Sequence, residues 1–322
     1  MESGNRTLGV VMDPIEQIKP YKDTSLAMLL EAQHRGWRLQ YMQPGDLYVR
    51  DGEAHAHMRA LRVSDDNEHW FEYSEPADRP LHDLSLVLMR KDPPFDMEYV
   101  YTTYILERAE MRGTVILNSP AGLRDINEKA YTAWFPQCCP ANLITCSIGR
   151  LREFLAEHEK IVVKPLDVMG GQSIFLVQQG DLNTNVIFEV MTANGQNFVQ
   201  AQAYIPEIVD GGDKRILLID GRPVEKVLAR IPPPGDARGN MAVGGTTEGR
   251  DISDRDRWIC EQVGPVLREK GIIFAGLDVI GDYMTEVNVT SPTGIRELEK
   301  QFELNIAGLM FDAIERRIRE AE

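Results

Sequence analysis

The feature that most constrains this chain is a recurrent pairing in its first third: a short apolar run, a turn, then a helical stretch. Leu8-Gly9-Val10-Val11-Met12 is such a run and stops at Asp13-Pro14. Asp23 or Thr24 can cap the helix that follows, through Ala27, Leu29, Leu30 and Glu31 to near Gly36. Residues 37–41 and 84–89 read as further strands. Residues 97–112 read as a helix with Val100, Tyr104, Leu106 and Ala109 on its apolar side, and residues 114–117 as the next strand. Such alternation predicts a parallel sheet flanked by helices. Asp51-Gly52, between Leu47-Tyr48-Val49 and Ala54-His55-Ala56-His57, predicts one hairpin within it.

The middle of the chain repeats these ingredients on a smaller scale. Residues 151–158 read as a helix, and 161–165 as a strand that stops at Lys164-Pro165. A Gly-containing loop comes next, then a strand over 174–177 and an extended stretch over 198–205. In the last third, strands over 216–219 and 224–231 flank Asp220-Gly221-Arg222-Pro223 as an antiparallel hairpin. Pro232-Pro233-Pro234-Gly235 then breaks regular structure, and the chain stays Gly-rich to Gly249. A loop this long inside a compact domain is more often functional than idle. Helices are expected over 253–270 and 306–319, with a hairpin of strands 274–280 and 284–289 between them. Three units follow: residues 1–126, 127–205 and 206–322, the last carrying a flexible loop over 231–249.

Charge and cysteine content narrow the partners. Fifty acidic against 35 basic side chains leave a formal net charge of −15, which argues against nucleic acid or an anionic membrane as the partner. No apolar run reaches the ~18 residues that span a bilayer, and residues 1–6 lack the layout of a signal peptide. The chain reads as cytoplasmic. Its four cysteines, Cys138, Cys139, Cys146 and Cys260, form no zinc or disulfide pattern and read as reduced thiols. His55 and His57 make half a metal site at most.

Three clusters carry chemistry. Glu286 and Asn288 share one face of a strand while Val287 and Val289 take the other. A turn taking Gly281, Asp282 and Tyr283 would set Asp278 opposite Glu286. Two facing carboxylates repel unless a cation lies between them, and two carboxylates plus an amide oxygen are a hard donor set suited to magnesium shared with phosphates. The second cluster is cationic. Lys164 ends a strand before a loop holding Gly170 and Gly171, whose N–H groups can meet phosphate oxygens, and Lys129 lies at a predicted helix start. The third is the arginines Arg90, Arg215, Arg230 and Arg238, at strand ends and in loops, whose forks suit carboxylates and phosphates. Taken singly, each residue is as readily an ordinary surface charge or turn.

Their order along the chain is that of an ATP-grasp ligase: lysine, strand-lysine-Gly loop, Gln202-Ala203-Tyr204-Ile205, Asp213, a Gly-rich stretch, then Asp278 and Glu286-Val287-Asn288. Longer blocks resemble bacterial glutathione synthetase. They include Met89-Arg90-Lys91-Asp92-Pro93-Pro94-Phe95-Asp96, Asn127-Glu128-Lys129, Leu228-Ala229-Arg230-Ile231-Pro232 and Glu286-Val287-Asn288-Val289-Thr290-Ser291-Pro292-Thr293. The resemblance runs from about residue 8 to residue 317.

It implies an α/β ATP-grasp fold: an N-terminal parallel-sheet domain, a small central lid domain and a C-terminal antiparallel-sheet α+β domain. It implies ligation of γ-glutamylcysteine to glycine through an acyl phosphate, giving glutathione, ADP and phosphate. By that match Lys129, Lys164, Gly170 and Gly171 hold ATP phosphates. Gln202, Ala203, Tyr204 and Ile205 line the adenine slot, and Asp213 lies by the ribose. Asp278, Glu286 and Asn288 hold two Mg2+ ions, for which Mn2+ could substitute. Arg215, Arg230, Arg238 and Asn240 act in catalysis, and Arg90, Arg215, Arg230, Ser291 and Thr293 on substrate. A homotetramer is implied too. An acyl phosphate hydrolyses in water, which gives the 231–249 loop, with Arg238, a reason to close over the site. The chain departs from the family pattern at Val168, often glycine in relatives, and in an extra glycine in Asp210-Gly211-Gly212-Asp213. A different carboxylate–amine ligase of the same superfamily, or a non-catalytic ATP-binding sensor, remain alternatives.

Overall fold

The computed structural model describes residues 6–168, 173–232 and 246–321. Gly170, Gly171, Arg238 and Asn240, and most of the predicted flexible loop, lie outside these residues.

The N-terminal sheet has eight strands. Thr7–Val11 lies between Arg38–Met42 and Leu86–Met89, with Val115–Leu117 beyond, and all these neighbours pair in parallel. Helices Thr24–His34 and Met97–Glu110 supply the crossovers. Asp23 caps the first of these by accepting the Leu26 N–H at 2.6 Å. The sheet is mixed rather than wholly parallel. Glu53–Val63 returns from the Asp51-Gly52 turn and pairs antiparallel with Leu47–Arg50, Arg38–Met42 and two short strands. A two-residue turn can only reverse the chain, so this half of the sheet could not have been parallel. Thr7–Val11 and Leu86–Met89 leave in opposite senses around the point where strand order reverses, so their carboxyl ends open a crevice of the kind that holds ligands. Asp13 and Lys91 stand at those two ends, 2.8 Å apart.

The expected apolar side of Met97–Glu110 is corrected in one position. Tyr99, Thr102, Thr103, Leu106 and Ala109 face inward, and Tyr104 is exposed, with the Arg124 guanidinium 4.7 Å over its ring.

The middle unit is a four-stranded antiparallel sheet in the order Phe175–Gln178, Lys160–Pro165, Val199–Ala203, Asn142–Thr145, backed by helices Ile148–His158 and Thr184–Met191. One apolar cluster, around Leu151, Ile161, Phe188 and Val199, belongs to it alone. The two larger clusters each draw on both ends of the chain. Phe311, from helix Ile306–Ala321, meets Trp37 edge-on at 5.9 Å.

The C-terminal sheet runs Thr246–Asp251, Lys226–Ile231, Asp213–Ile219, Phe274–Ile280, Tyr283–Asn288, all antiparallel. Helix Asp254–Glu269 is capped by a Ser253–Asp256 box. Strand Thr246–Asp251 corrects the expectation of a loose loop to Gly249. It is an edge strand with little buried surface, so it needs few apolar residues. Gly249 is there for packing: a Cβ would stand 2.2 Å from the Phe302 ring. Helix Ile295–Phe302, like Thr184–Met191, was not foreseen from sequence.

Candidate functional site

One cavity of about 830 Å³ lies where the three sheets meet. Its floor is the C-terminal sheet. Arg215 pairs in register with Asp278 on the next strand, and Asp278 with Glu286 on the one after. The Asp278–Glu286 pairing is the one expected from sequence, reached by another route. The turn spends only Gly281 and Asp282, and a bulge after Asp278 restores the offset. On the side of Asp278 away from Glu286, the protein supplies positive charge of its own. Arg215 binds Asp278 through Nε to Oδ1 (2.5 Å) and Nη2 to Oδ2 (3.0 Å), and Arg230 Nη2 adds a bond to Oδ2 at 2.8 Å. Burial alone would raise the Asp278 pKa, but the two guanidiniums hold it well below the usual carboxylate range.

Asp213 is the register partner of Arg230 and accepts its Nη2 through Oδ2 at 2.5 Å. Its other oxygen is buried without a partner. Burial, with Asp278 and Glu286 nearby, pushes its pKa up to about 7 against the pull of Arg230. Gly212, in the departure noted above, has φ +71°, and a Cβ there would stand 2.6 Å from the Arg230 carbonyl oxygen. The glycine is what lets the two strands close on this pair.

The opposite wall belongs to the middle unit. Lys164 Nζ stands 3.7 Å from Glu286 Oε1. Lys129 Nζ donates to Glu128 Oε1 and, at 2.8 Å, to the Val168 carbonyl. Burial and the charge of Glu286 raise the pKa of Glu128. Lys129 is raised too, because Glu286 and Glu128 outweigh its burial. Val168 is absent from the residues with positive φ, so valine there is unstrained. Gln202, Ala203, Tyr204 and Ile205 line the same wall with Val162, beside Ile208 and Ile280. Lys160 Nζ lies 3.8 Å from the Tyr204 ring centroid. The result is an apolar slot that leads to a charged floor.

Ser291 donates to Asp92 Oδ1 at the rim, and the Thr293 carbonyl accepts Arg215 Nη1 at 3.3 Å. Arg90, expected on substrate, lies behind the cavity wall. It is buried and absent from the cavity lining. Its Nε donates to Ser25 Oγ at 3.0 Å and its Nη2 to the Pro292 carbonyl at 3.0 Å. It braces the 291–293 turn from behind. Sequence reasoning also missed Asp13, Lys22, Asp23, Glu128 and Glu297, all of which line the cavity. Of these, Glu128 stands beside Lys129, and Asp13 lies in Val11-Met12-Asp13-Pro14, a further block that resembles the family.

Among the described residues no three His, Cys, Asp or Glu side chains form a metal cluster. His57 lies 3.3 Å from Asp78, and His55 stacks on Tyr48. All four cysteines are free. Asp278, Glu286 and Asn288 nevertheless suit a hard divalent cation. Three of about four carboxylate lone-pair sites on Asp278 are taken by arginine, leaving one. Glu286 pairs with Lys164 among the described residues, and Asn288 donates to Gly276 O at 3.3 Å, leaving its oxygen to accept. No described helix is long and apolar enough to cross a membrane.

A cleft between two antiparallel sheets, with an apolar slot on one side and lysines, arginines and paired carboxylates on the other, defines an ATP-dependent ligase of the ATP-grasp class. The crystal structure of D-cycloserine synthetase has the same fold (TM-score 0.69, 16% identical, covering 97% of this chain and 99% of that one). Two family models match in sequence: the N-terminal domain of prokaryotic glutathione synthetase over residues 7–124, and its ATP-grasp domain over 128–303. The glutathione synthetase of Pseudomonas syringae pv. tomato is 55% identical over 312 residues, 97% of this chain and 98% of that protein. That of Coxiella burnetii is 55% identical over 304 residues, 94% of each. The chain belongs to the prokaryotic glutathione synthetase family.

Proposed function

We propose that this protein joins γ-glutamylcysteine to glycine at the expense of ATP in the cytoplasm. The reading is carried by the Arg215–Asp278–Arg230 array facing Glu286 and Lys164 across one cavity: fixed positive charge beside a hard donor set, as phosphoryl transfer to a carboxylate requires.

ATP lies with its adenine in the slot formed by Gln202, Ala203, Tyr204 and Ile205, and with its phosphates towards Lys129 and Lys164. Lys129 exchanges Glu128 for a phosphate oxygen. Divalent ions, two Mg2+ in this reading, would be held by Asp278, Glu286 and Asn288 and neutralise charge on the phosphates. Arg215 and Arg230 hold the carboxylate of the dipeptide's cysteinyl residue in line with the γ-phosphorus. A carboxylate oxygen attacks, ADP leaves, and an acyl phosphate forms. The glycine amine then attacks the acyl carbon, phosphate departs with the C–O bonding pair, and the proton lost from nitrogen passes to that phosphate. Ser291 and Thr293 flank the acyl group. Asp213, tied to Arg230, serves that guanidinium rather than the ribose alone. Residues 1–126, 127–205 and 206–322 act as substrate, lid and catalytic units, and the protein works as a homotetramer.

ADP release is the test, measured with ATP and magnesium and with γ-glutamylcysteine and glycine supplied together and each omitted. Release that needs both, with a stoichiometric tripeptide, is expected. ATP binding without release under any of these conditions would sink the reading.

A further inference from the structure

Asn118 follows strand Val115–Leu117 of the N-terminal sheet, is buried, and does not line the cavity. Its carboxamide nonetheless bonds only to the C-terminal sheet. Oδ1 accepts the Ile273 N–H at 2.9 Å and the Phe274 N–H at 3.0 Å. Nδ2 donates to the Phe274 carbonyl at 2.8 Å and to the Val289 carbonyl at 2.6 Å. A primary amide has two N–H donors and an oxygen with two lone pairs, so its whole capacity is engaged. The anchor itself is firm. The Ser119 N–H donates to the Gly271 carbonyl at 3.1 Å, and Gly122 comes so close to Lys270 that a Cβ would stand 2.4 Å from its carbonyl oxygen.

These bonds fall where the hairpin that carries the cation donors needs them. Strands Phe274–Ile280 and Tyr283–Asn288 pair in two registers. Next to the turn, Ile280 faces Tyr283 and Val279 faces Met284. Past the bulge, Asp278 faces Glu286, Leu277 faces Val287 and Gly276 faces Asn288. Asp278, Glu286 and Asn288 all lie in that second run. A one-residue slip of Tyr283–Asn288 there would turn Glu286 and Asn288 away from the cavity and Val287 into it. The turn does not by itself exclude the slip, because the bulge separates the two registers. The Val287 N–H, bonded to the Glu128 carbonyl at 2.8 Å, holds the middle of the run. Its open end remains. Beyond Gly276 and Asn288 the two strands no longer pair, and Asn118 takes Phe274 on one strand and Val289, one residue past Asn288, on the other.

We infer that Asn118 is a positioning residue for the divalent-cation site: it pins the open end of this three-pair run and so keeps Asp278, Glu286 and Asn288 together on the cavity face, without a hydrogen bond to any of them. The inference rests on the proposed function, which puts the cation on those three residues. It also gives the N-terminal unit a part in the site's geometry that its lining residues do not show. A brace that only joined the two units would act on stability alone. A register pin acts on cation affinity beyond any effect on stability.

The test is Mn2+ binding in the presence of a non-hydrolysable ATP analogue, read from the free-ion signal in electron paramagnetic resonance. The wild-type protein, Asn118→Ala and Leu106→Ala are compared, each with its urea midpoint. Leu106 is buried on helix Met97–Glu110, which packs on the N-terminal sheet, and it does not line the cavity. Its truncation therefore controls for lost stability. Asn118→Ala is expected to weaken Mn2+ binding by about 10-fold, the low end for loss of a group that supports metal ligands, and to leave the analogue's metal-free affinity nearly unchanged. Leu106→Ala should lower the urea midpoint and keep wild-type Mn2+ affinity. Asn118→Ser retains one donor and one acceptor; it stands in for the alanine variant if that does not fold, and should show a smaller loss of the same kind. Wild-type affinity in the Asn118 variant, or an equal loss in Leu106→Ala, would overturn the inference and leave the ligase reading intact. A wild-type protein that binds no Mn2+ with the analogue would overturn the cation site and this inference with it.

Discussion

Arg215 grips Asp278 at two points from directly opposite it on the neighbouring strand, Nε to Oδ1 at 2.5 Å and Nη2 to Oδ2 at 3.0 Å. With Arg230 on the same carboxylate, Asp278 offsets the charge of two buried guanidiniums, one of which it shares with Asp213. Breaking such a pair from one side costs about 3–5 kcal/mol. Asp278→Asn should therefore lower the urea midpoint clearly and abolish magnesium-dependent ADP release. The pKa sets a direction as well. Because the folded Asp278 carboxyl titrates below its unfolded value, its contribution is complete above the usual carboxylate range and is lost as pH falls through the depressed value. Midpoints measured downward from pH 5 should fall more steeply in the wild-type protein than in Asp278→Asn, and parallel curves would refute this.

Asp213 gives the opposite slope. Its folded pKa is pushed up to about 7 from a usual 3.8. Between those values the folded protein keeps a proton that the unfolded chain has lost, so the Asp213 contribution to stability declines as pH rises from about 4 to 7. Asp213→Asn should remove that decline. Urea midpoints at pH 5 and pH 7.5 should lie closer together in the variant, and an unchanged gap would assign the slope to other groups.

These two acids show how far sequence reaches. Alternation along residues 284–289 put Glu286 and Asn288 on one face and paired Asp278 with Glu286, because strand geometry is local. It could not show that Arg215 and Arg230 would close on Asp278 from the other side, since three strands from distant parts of the chain must first line up. The parallel run of the first sheet was legible in its apolar blocks, and its antiparallel half only in the Asp51-Gly52 turn. Thr246–Asp251 was hidden because an edge strand with a glycine packed under Phe302 carries no apolar pattern. Arg90 is expected at the substrate because its block resembles a family signature; its burial behind the 291–293 turn is a tertiary fact that no local pattern carries. Glu297 carried no signal at all, and Asp23 showed only as a helix cap.

Lys164 gives a binding prediction. Its ammonium is 3.7 Å from Glu286 and faces the cavity between the two sheets. A charged hydrogen bond to phosphate is worth about 1.5–3 kcal/mol, so Lys164→Met should weaken binding of a non-hydrolysable ATP analogue by roughly 10-fold or more. Calorimetric titration measures this directly. Unaltered affinity would remove Lys164 from the phosphate site.

Neighbouring glycines should respond differently to the same change. Gly212→Ala places a Cβ 2.6 Å from the Arg230 carbonyl at φ +71°, whereas Gly211 has nothing within 4 Å of its would-be Cβ. Strain and clash together should cost Gly212→Ala about 1–3 kcal/mol, and Gly211→Ala should be near neutral. If Gly212 acts by letting the Asp213–Arg230 pair close, its alanine variant should also lose ADP release beyond what its lower melting temperature explains. Equal behaviour of the two variants would mean that the close approach has no such role.

The proposed tetramer needs a surface, and the N-terminal unit presents a suitable one. Met97 and Tyr101 of helix Met97–Glu110 and Met111 at its C-cap are 50–69% exposed, and Val49 of the edge strand Leu47–Arg50, against which that helix packs, is 47% exposed. Apolar side chains gathered on one face of a helix and an adjoining strand edge cost solubility unless a partner covers them. A twofold contact would pair the face with itself, so one change is felt twice in each interface. Tyr101→Glu should accordingly shift the protein to a smaller species in light scattering at micromolar concentration. ADP release per chain should be retained, because no residue of this face lines the cavity. An unchanged mass would place the subunit contact elsewhere, and a monomeric wild-type protein would refute the tetramer itself.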